Sequence, residues 1–168
     1  IPSSLVGSEM CIRDRSCTGI MIPSVDAYLI NSLQMRQDIV RLPVTEMGCV
    51  AGISGIIYAK NFLKSNPNKR AAIVSVEAAT ATFQMEDYSM ANIVSAAIFG
   101  DGAASVILSS FEEDEGPIMR DEAMYHFYDS IDIMGCKLLN TGLHMILDKR
   151  VPETISIHLP NIIIPLLE

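Results

Sequence analysis

Residues 41–60 read RLPVTEMGCVAGISGIIYAK, and this stretch constrains the chain more than any other. A short run rich in β-formers ends at Met47. Gly48 and Cys49 follow, and then small and apolar residues with Gly52 and Gly55 closely spaced. The pattern predicts a strand over 39–47, a sharp turn, and a helix from Cys49 to about Leu63. A thiol at a helix start lies among backbone N–H groups that have no partner within the helix, at the positive end of the helix dipole. Both favour the thiolate, which is the nucleophilic form. Small neighbours leave room for a substrate carbonyl. A buried cysteine packing as a small hydrophobe is the alternative, and spacing alone leaves both open.

The segments that follow repeat the theme. After a turn at 65–69, RAAIVSVEAA (70–79) is apolar nearly throughout, as expected of a strand covered on both faces. Strand–helix–strand alternation predicts parallel pairing with helices over the sheet. Upstream, SCTGIMI (16–22) reads as a strand end, and Pro23 and Ser24 open a helix to about Met35 with Val25, Leu29, Ile30 and Leu33 on one side. TATFQMEDYSM reads as irregular, ANIVSAAIF (91–99) as a helix, FGDGA as a tight turn and AASVILSS (103–110) as a strand. PIMRDEAMYHFYD is expected to be a strand with its loop. CKLLNTGLHMILD is expected to be a hairpin around Asn140, Thr141 and Gly142, and VPETISIHLPNIIIPLLE a final helix interrupted at Pro160.

With 168 residues, 49% of them apolar, the chain can bury a sizeable core, and no apolar run reaches membrane-spanning length. The net charge of −8 and the absence of a basic patch argue against a nucleic-acid partner. The run FEEDEG (111–116) reads as a solvated loop that marks a boundary. Cys11, Cys17, Cys49 and Cys136 have neither metal-ligand spacing nor a disulfide framework, which implies a reducing, cytoplasmic compartment. No metal site is expected.

Residues 1–15, IPSSLVGSEMCIRDR, have no signal-peptide pattern and neither helical nor strand periodicity. VGSEMCIRDR resembles the translated end of a sequencing-library adapter, so this tail is expected to be non-native. The apolar NIIIPLLE ending is expected to be a truncation.

CTGIMIPSVDAYL, GCVAGISG, VEAATATF, FGDGAASVIL and TGLHMILDKRVPETI, in that order, resemble the type III polyketide synthases, the chalcone and stilbene synthase relatives within the thiolase superfamily. The resemblance spans roughly residues 16–168. It implies an α/β, thiolase-like layered α-β-α-β-α fold that is incomplete here: 16–110 would be the later part of the first half and 111–168 the start of the second. It also implies a homodimer. Cys49 matches the acyl-accepting nucleophile, with acyl-CoA and malonyl-CoA as substrates and no cofactor. Phe99 matches an aromatic gate, Thr82 and Cys17 match pocket-lining positions, and Met145 falls where plant enzymes place a second gating Phe. Cys17 and Ala79 each replace a plant Thr, and these departures together with Met145 argue against chalcone formation. Ile22 matches a residue that reaches the partner subunit's site, with an apolar core position as the alternative. Cys136 falls near the pocket or is a structural thiol. The family's His partner matches none of His126, His144 or His158 and its Asn partner is missing, so the chain alone is expected to be inactive. A ketoacyl synthase III-like enzyme using acyl carrier protein and a non-catalytic partner subunit are the competing readings.

Overall fold

The structure, a computed structural model, describes residues 10–15 and 21–167. Cys17 and most of the expected 16–22 strand end lie outside these residues. The chain clusters into two compact units, one comprising 1–77 with 102–117 and the other 78–101 with 118–168.

The first unit is a four-stranded sheet with helices. In chain order it contains β1 (Met10–Arg15), α1 (Val25–Ser32), β2 (Val40–Arg41), α2 (Ala51–Ser65), β3 (Arg70–Glu77) and β4 (Gly102–Ser109). The strand order is β2-β1-β3-β4. β1 runs parallel to both of its neighbours, and β4 runs antiparallel to β3 in the register Arg70↔Ser109 to Glu77↔Gly102. Parallel pairing matches the strand–helix–strand alternation; the antiparallel edge makes the sheet mixed. α2 lays Ala59 and Leu63 onto Cys11, Ala71 and Ile73, with Ile56, Phe62 and Leu108 packed around them. Ile56, Ala59 and Leu63 recur at the three- and four-residue spacing of one helix face.

Several elements differ from expectation. Residues 1–15 show no strand periodicity, yet Met10–Arg15 forms an inner strand. β3 pairs with it along its whole length and β2 pairs with Cys11 and Ile12, which are only 1% and 2% exposed. An inner strand covered on both faces needs no polar–apolar alternation. The predicted strand 39–47 shrinks to Val40 and Arg41 plus an isolated bridge at Val44. Pro43 supplies no N–H and interrupts the ladder. In α1 the fully buried side chain is Asp26, while Leu33, just past its end, is exposed. The Asp26 carboxylate takes a two-pronged contact from Arg41, with Nε at 2.7 Å and Nη2 at 2.9 Å, and a third hydrogen bond from Ser24 Oγ at 2.5 Å. Burial raises its pKa, but the hydrogen bonds from Arg41 and Ser24 and the Arg41 charge outweigh it, so the carboxyl is held below its ordinary value. The acidic loop is also pinned: Arg70 grips Asp114 with two bonds of 2.8 Å and stacks over Phe111 at 4.4 Å. These hydrogen bonds from Arg70, with one from Ser109, hold Asp114 at about 2.

The second unit comprises a 3-10 turn at Ala79–Thr82, α3 (Met90–Ile98), β5 (Met134–Leu139), β6 (Gly142–Leu147) and α4 (Val151–Leu167). β5 and β6 form the expected hairpin, with Asn140 and Thr141 as the turn and Gly142 at φ +116°. The segment 117–129 is not a strand. Its alternation places Tyr125 and Phe127 together (ring centroids 5.3 Å apart), and Phe127 packs on His158 of α4 at 5.1 Å. The period-two pattern is real, but no strand among the described residues pairs with it. α4 passes through Pro160 and Pro165 without ending. Each proline removes one N–H from the helix ladder, and the turns on either side continue it.

Candidate active site

Cys49 lies in a 3-10 turn, Gly48–Val50, that leads directly into α2. Glu46 (φ +64°) and Gly48 (φ +62°) both take left-handed backbone angles, which reverses the chain between the bridge at Val44 and the helix. A Cβ at position 48 would meet nothing within 4 Å. Backbone conformation, not crowding, is therefore what calls for glycine there. The Cys49 side chain is exposed. Behind it, Ser54 Oγ donates to Val50 O at 3.1 Å and Tyr58 Oη donates to Met47 Sδ at 3.7 Å, which braces the turn against the first two turns of α2.

In the second unit, Ala79, Thr82, Phe99 and Met145 line one pocket of about 90 Å³. Three of the sequence-predicted positions, Thr82, Phe99 and Met145, thus come together, along with the departure at Ala79. They arrive from three elements: the 3-10 turn, the C-terminal end of α3, and β6. Cys136 sits opposite Met145 on the hairpin, with the two sulfurs 3.4 Å apart.

The pocket walls are fastened by groups that sequence reading passed over. Asp101, in the FGDG turn, accepts from Thr80 N at 2.8 Å and from Thr80 Oγ1 at 2.7 Å. The backbone bond first, and then the hydroxyl, hold its carboxyl below the ordinary range. This clamp ties the turn at 79–82 to the residues beside Phe99. Asn92 of α3 donates to Gln84 O at 2.8 Å and Asp87 O at 2.7 Å, and Gln84 Nε2 donates to Leu143 O at 3.0 Å, which ties the loop to β6. Ser89 caps α3 by accepting from Asn92 N at 3.3 Å. The GDG triplet was the available signal for Asp101, although it reads equally well as a plain turn.

α3 also inverts the usual pattern. Asn92 and Ser95 are its buried side chains, while Ile93, Val94 and Ile98 are exposed. The three histidines lie elsewhere in the unit. His144 contacts Thr141 Oγ1 at 2.6 Å and lies 3.9 Å from Asp87, His158 packs on Phe127, and His126 packs on Tyr128. No helix among the described residues is long and apolar enough to cross a membrane.

The family profile described as FAE1/Type III polyketide synthase-like protein matches residues 17–133. Phloroglucinol synthase of Pseudomonas fluorescens is 34% identical over 141 residues, covering 84% of this chain and 40% of that protein. The 1,3,6,8-tetrahydroxynaphthalene synthase of Streptomyces peucetius is 34% identical over 148 residues, covering 86% and 39%. Among solved structures, the tetrahydroxynaphthalene synthase of Streptomyces coelicolor, a bacterial type III polyketide synthase, superposes with a TM-score of 0.85 at 30% identity, over 91% of this chain and 43% of that one. Germicidin synthase from the same species gives 0.82 at 25% identity, over 92% and 42%. The fold is thus the thiolase-like α/β fold of these enzymes, and the chain spans about two fifths of the curated relatives' length.

Proposed function

The chain belongs to the type III polyketide synthase family, and from that premise we propose that it is the part of a condensing acyltransferase that carries the acyl-accepting cysteine. Cys49 sulfur attacks the thioester carbonyl of an acyl-CoA, the new carbon–sulfur bond forms, and CoA leaves as its thiol. Malonyl-CoA then loses carbon dioxide, and the resulting enolate carbon attacks the cysteine-bound acyl group. The bond to Cys49 breaks, and the product is a β-ketoacyl-CoA two carbons longer. The departing carboxylate supplies the electron pair, so no redox cofactor takes part. Thr82, Phe99 and Met145 shape the space for the acyl chain, and the family resemblance gives Cys17, which lies outside the described residues, a pocket-lining role. Residues 16–110 belong to the first thiolase-like half and 111–168 to the second.

The observation that carries this reading is an exposed thiol in a left-handed turn leading into α2, and the resemblance of GCVAGISG to the family's motif is what names that thiol the nucleophile. The family's His and Asn, which assist thiol activation and oxyanion stabilisation, match no position among residues 1–168. Turnover is therefore assigned to the longer protein. Ile22, 97% exposed, suits a residue that inserts into a second subunit of a homodimer. The compartment is cytoplasmic, where CoA thioesters and reduced thiols coexist.

The test is made on the full-length parent protein. Incubation with an acyl-CoA and malonyl-CoA, without carrier protein, yields products extended more than once, and iodoacetamide alkylates Cys49 with loss of turnover. Equal labelling of Cys17 and Cys136 with activity intact would overturn the assignment.

A further inference from the structure

We propose that Ser95 is a specificity-determining residue, whose hydroxyl donates a hydrogen bond to the β-keto oxygen of an acyl chain held in the Thr82–Phe99–Met145 pocket. This rests on the polyketide synthase reading above.

Ser95 lines that pocket and is 5% exposed, and its Oγ is buried without a hydrogen-bond partner. Its backbone is otherwise engaged, since its carbonyl accepts from Phe99 N at 2.9 Å. A helical serine commonly returns its hydroxyl to a carbonyl one turn back, as Ser54 does to Val50; Ser95 does not. The donors of the other polar side chains on the pocket wall are committed. Thr80 Oγ1 donates to Asp101, Thr82 Oγ1 to Ala79 O at 2.8 Å, and both Asn92 amide hydrogens to Gln84 and Asp87 carbonyls. Among these side chains, only Ser95 has a donor left to offer.

A buried polar group without a partner is costly, and a group so placed gains from any acceptor brought to it. Rotation about χ1 redirects the hydroxyl without moving the backbone. Ala79, Phe99 and Met145 supply apolar walls for the carbon chain, and the single uncommitted donor suits one neutral acceptor oxygen. A growing polyketide carries such an oxygen on alternate carbons, whereas a plain alkyl chain carries none. The site therefore favours a β-ketoacyl chain over its saturated counterpart.

The test uses the full-length parent protein carrying Cys49→Ala, which blocks acyl transfer. Dissociation constants for hexanoyl-CoA and its β-keto counterpart are measured by calorimetry with Ser95 intact and after Ser95→Ala. The preference for the β-keto ester is expected to shrink by about two- to tenfold on Ser95→Ala. Ser95→Thr, which keeps the hydroxyl, is expected to retain part of it. Ser95→Gly is the second deletion should Ser95→Ala not fold. An unchanged ratio in a protein whose Cys49 form still turns over hexanoyl-CoA with malonyl-CoA overturns the Ser95 assignment alone. Failure of both esters to bind, with no turnover, overturns the polyketide reading and this proposal together.

Discussion

The charged side chain of Asp26 is sealed from solvent, and three donor contacts hold it there. The pair is lopsided, because the Arg41 side chain is 41% exposed. Removing the carboxylate charge therefore costs less than breaking a fully enclosed ion pair. Asp26→Asn is expected to destabilise the chain by about 2 kcal/mol near neutral pH. The pH dependence has a definite sign. The folded-state pKa lies below the unfolded value of about 3.9, so the pair stabilises the fold above that value and the contribution is lost as pH falls through the folded-state pKa. Urea midpoints measured between pH 7 and about 3 should fall more steeply for the wild type than for Asp26→Asn. Parallel curves would show that Asp26 is not held ionised by Arg41. The sequence offered no hint of this burial: Asp26 reads as an ordinary first-turn acid, and only the approach of Arg41, fifteen residues on, makes its enclosure tolerable.

At the scale of elements, the turn into α2 depends on backbone angles more than on contacts. Gly48 sits at φ +62° with open space where a Cβ would go. Gly48→Ala is thus expected to cost about 1–2 kcal/mol through backbone strain alone and to alter the rate at which iodoacetamide alkylates Cys49. An unchanged melting temperature together with an unchanged alkylation rate would show that the turn does not need its left-handed residue. This turn, α3 and the β5–β6 hairpin were legible in the sequence because each is specified within a few residues: Gly-Cys before an apolar run, the run ANIVSAAIF itself, and Asn-Thr-Gly between two apolar stretches. The predicted strand over 117–129 failed for the opposite reason. Its alternation is local, but a strand needs a partner, and here the rings of Tyr125 and Phe127 turn to each other and to His158 instead. α4 likewise runs through Pro160, where local reading expects an interruption.

For the molecule as a whole, β4 ends the sheet, with residues 102–107 exposed and Val106 and Ile107 at 42% and 43%. An apolar strand at a sheet edge invites association. The 168-residue chain expressed alone is expected to bind a hydrophobic dye and to gain mass with concentration in light scattering. A monodisperse monomer without dye binding would contradict this. The same scale divides what could be read early from what could not. The helices, the hairpin, the turn at Gly48 and Cys49, and the family resemblance follow from residue order, because short-range backbone preferences and motif spacing are written along the chain. The inner position of β1, the burial of Asp26, the Asp101–Thr80 clamp and the place of Ser95 beside Thr82, Phe99 and Met145 do not. Each depends on segments far apart in sequence closing on one another, and the energy of pairing and desolvation exists only once they have met.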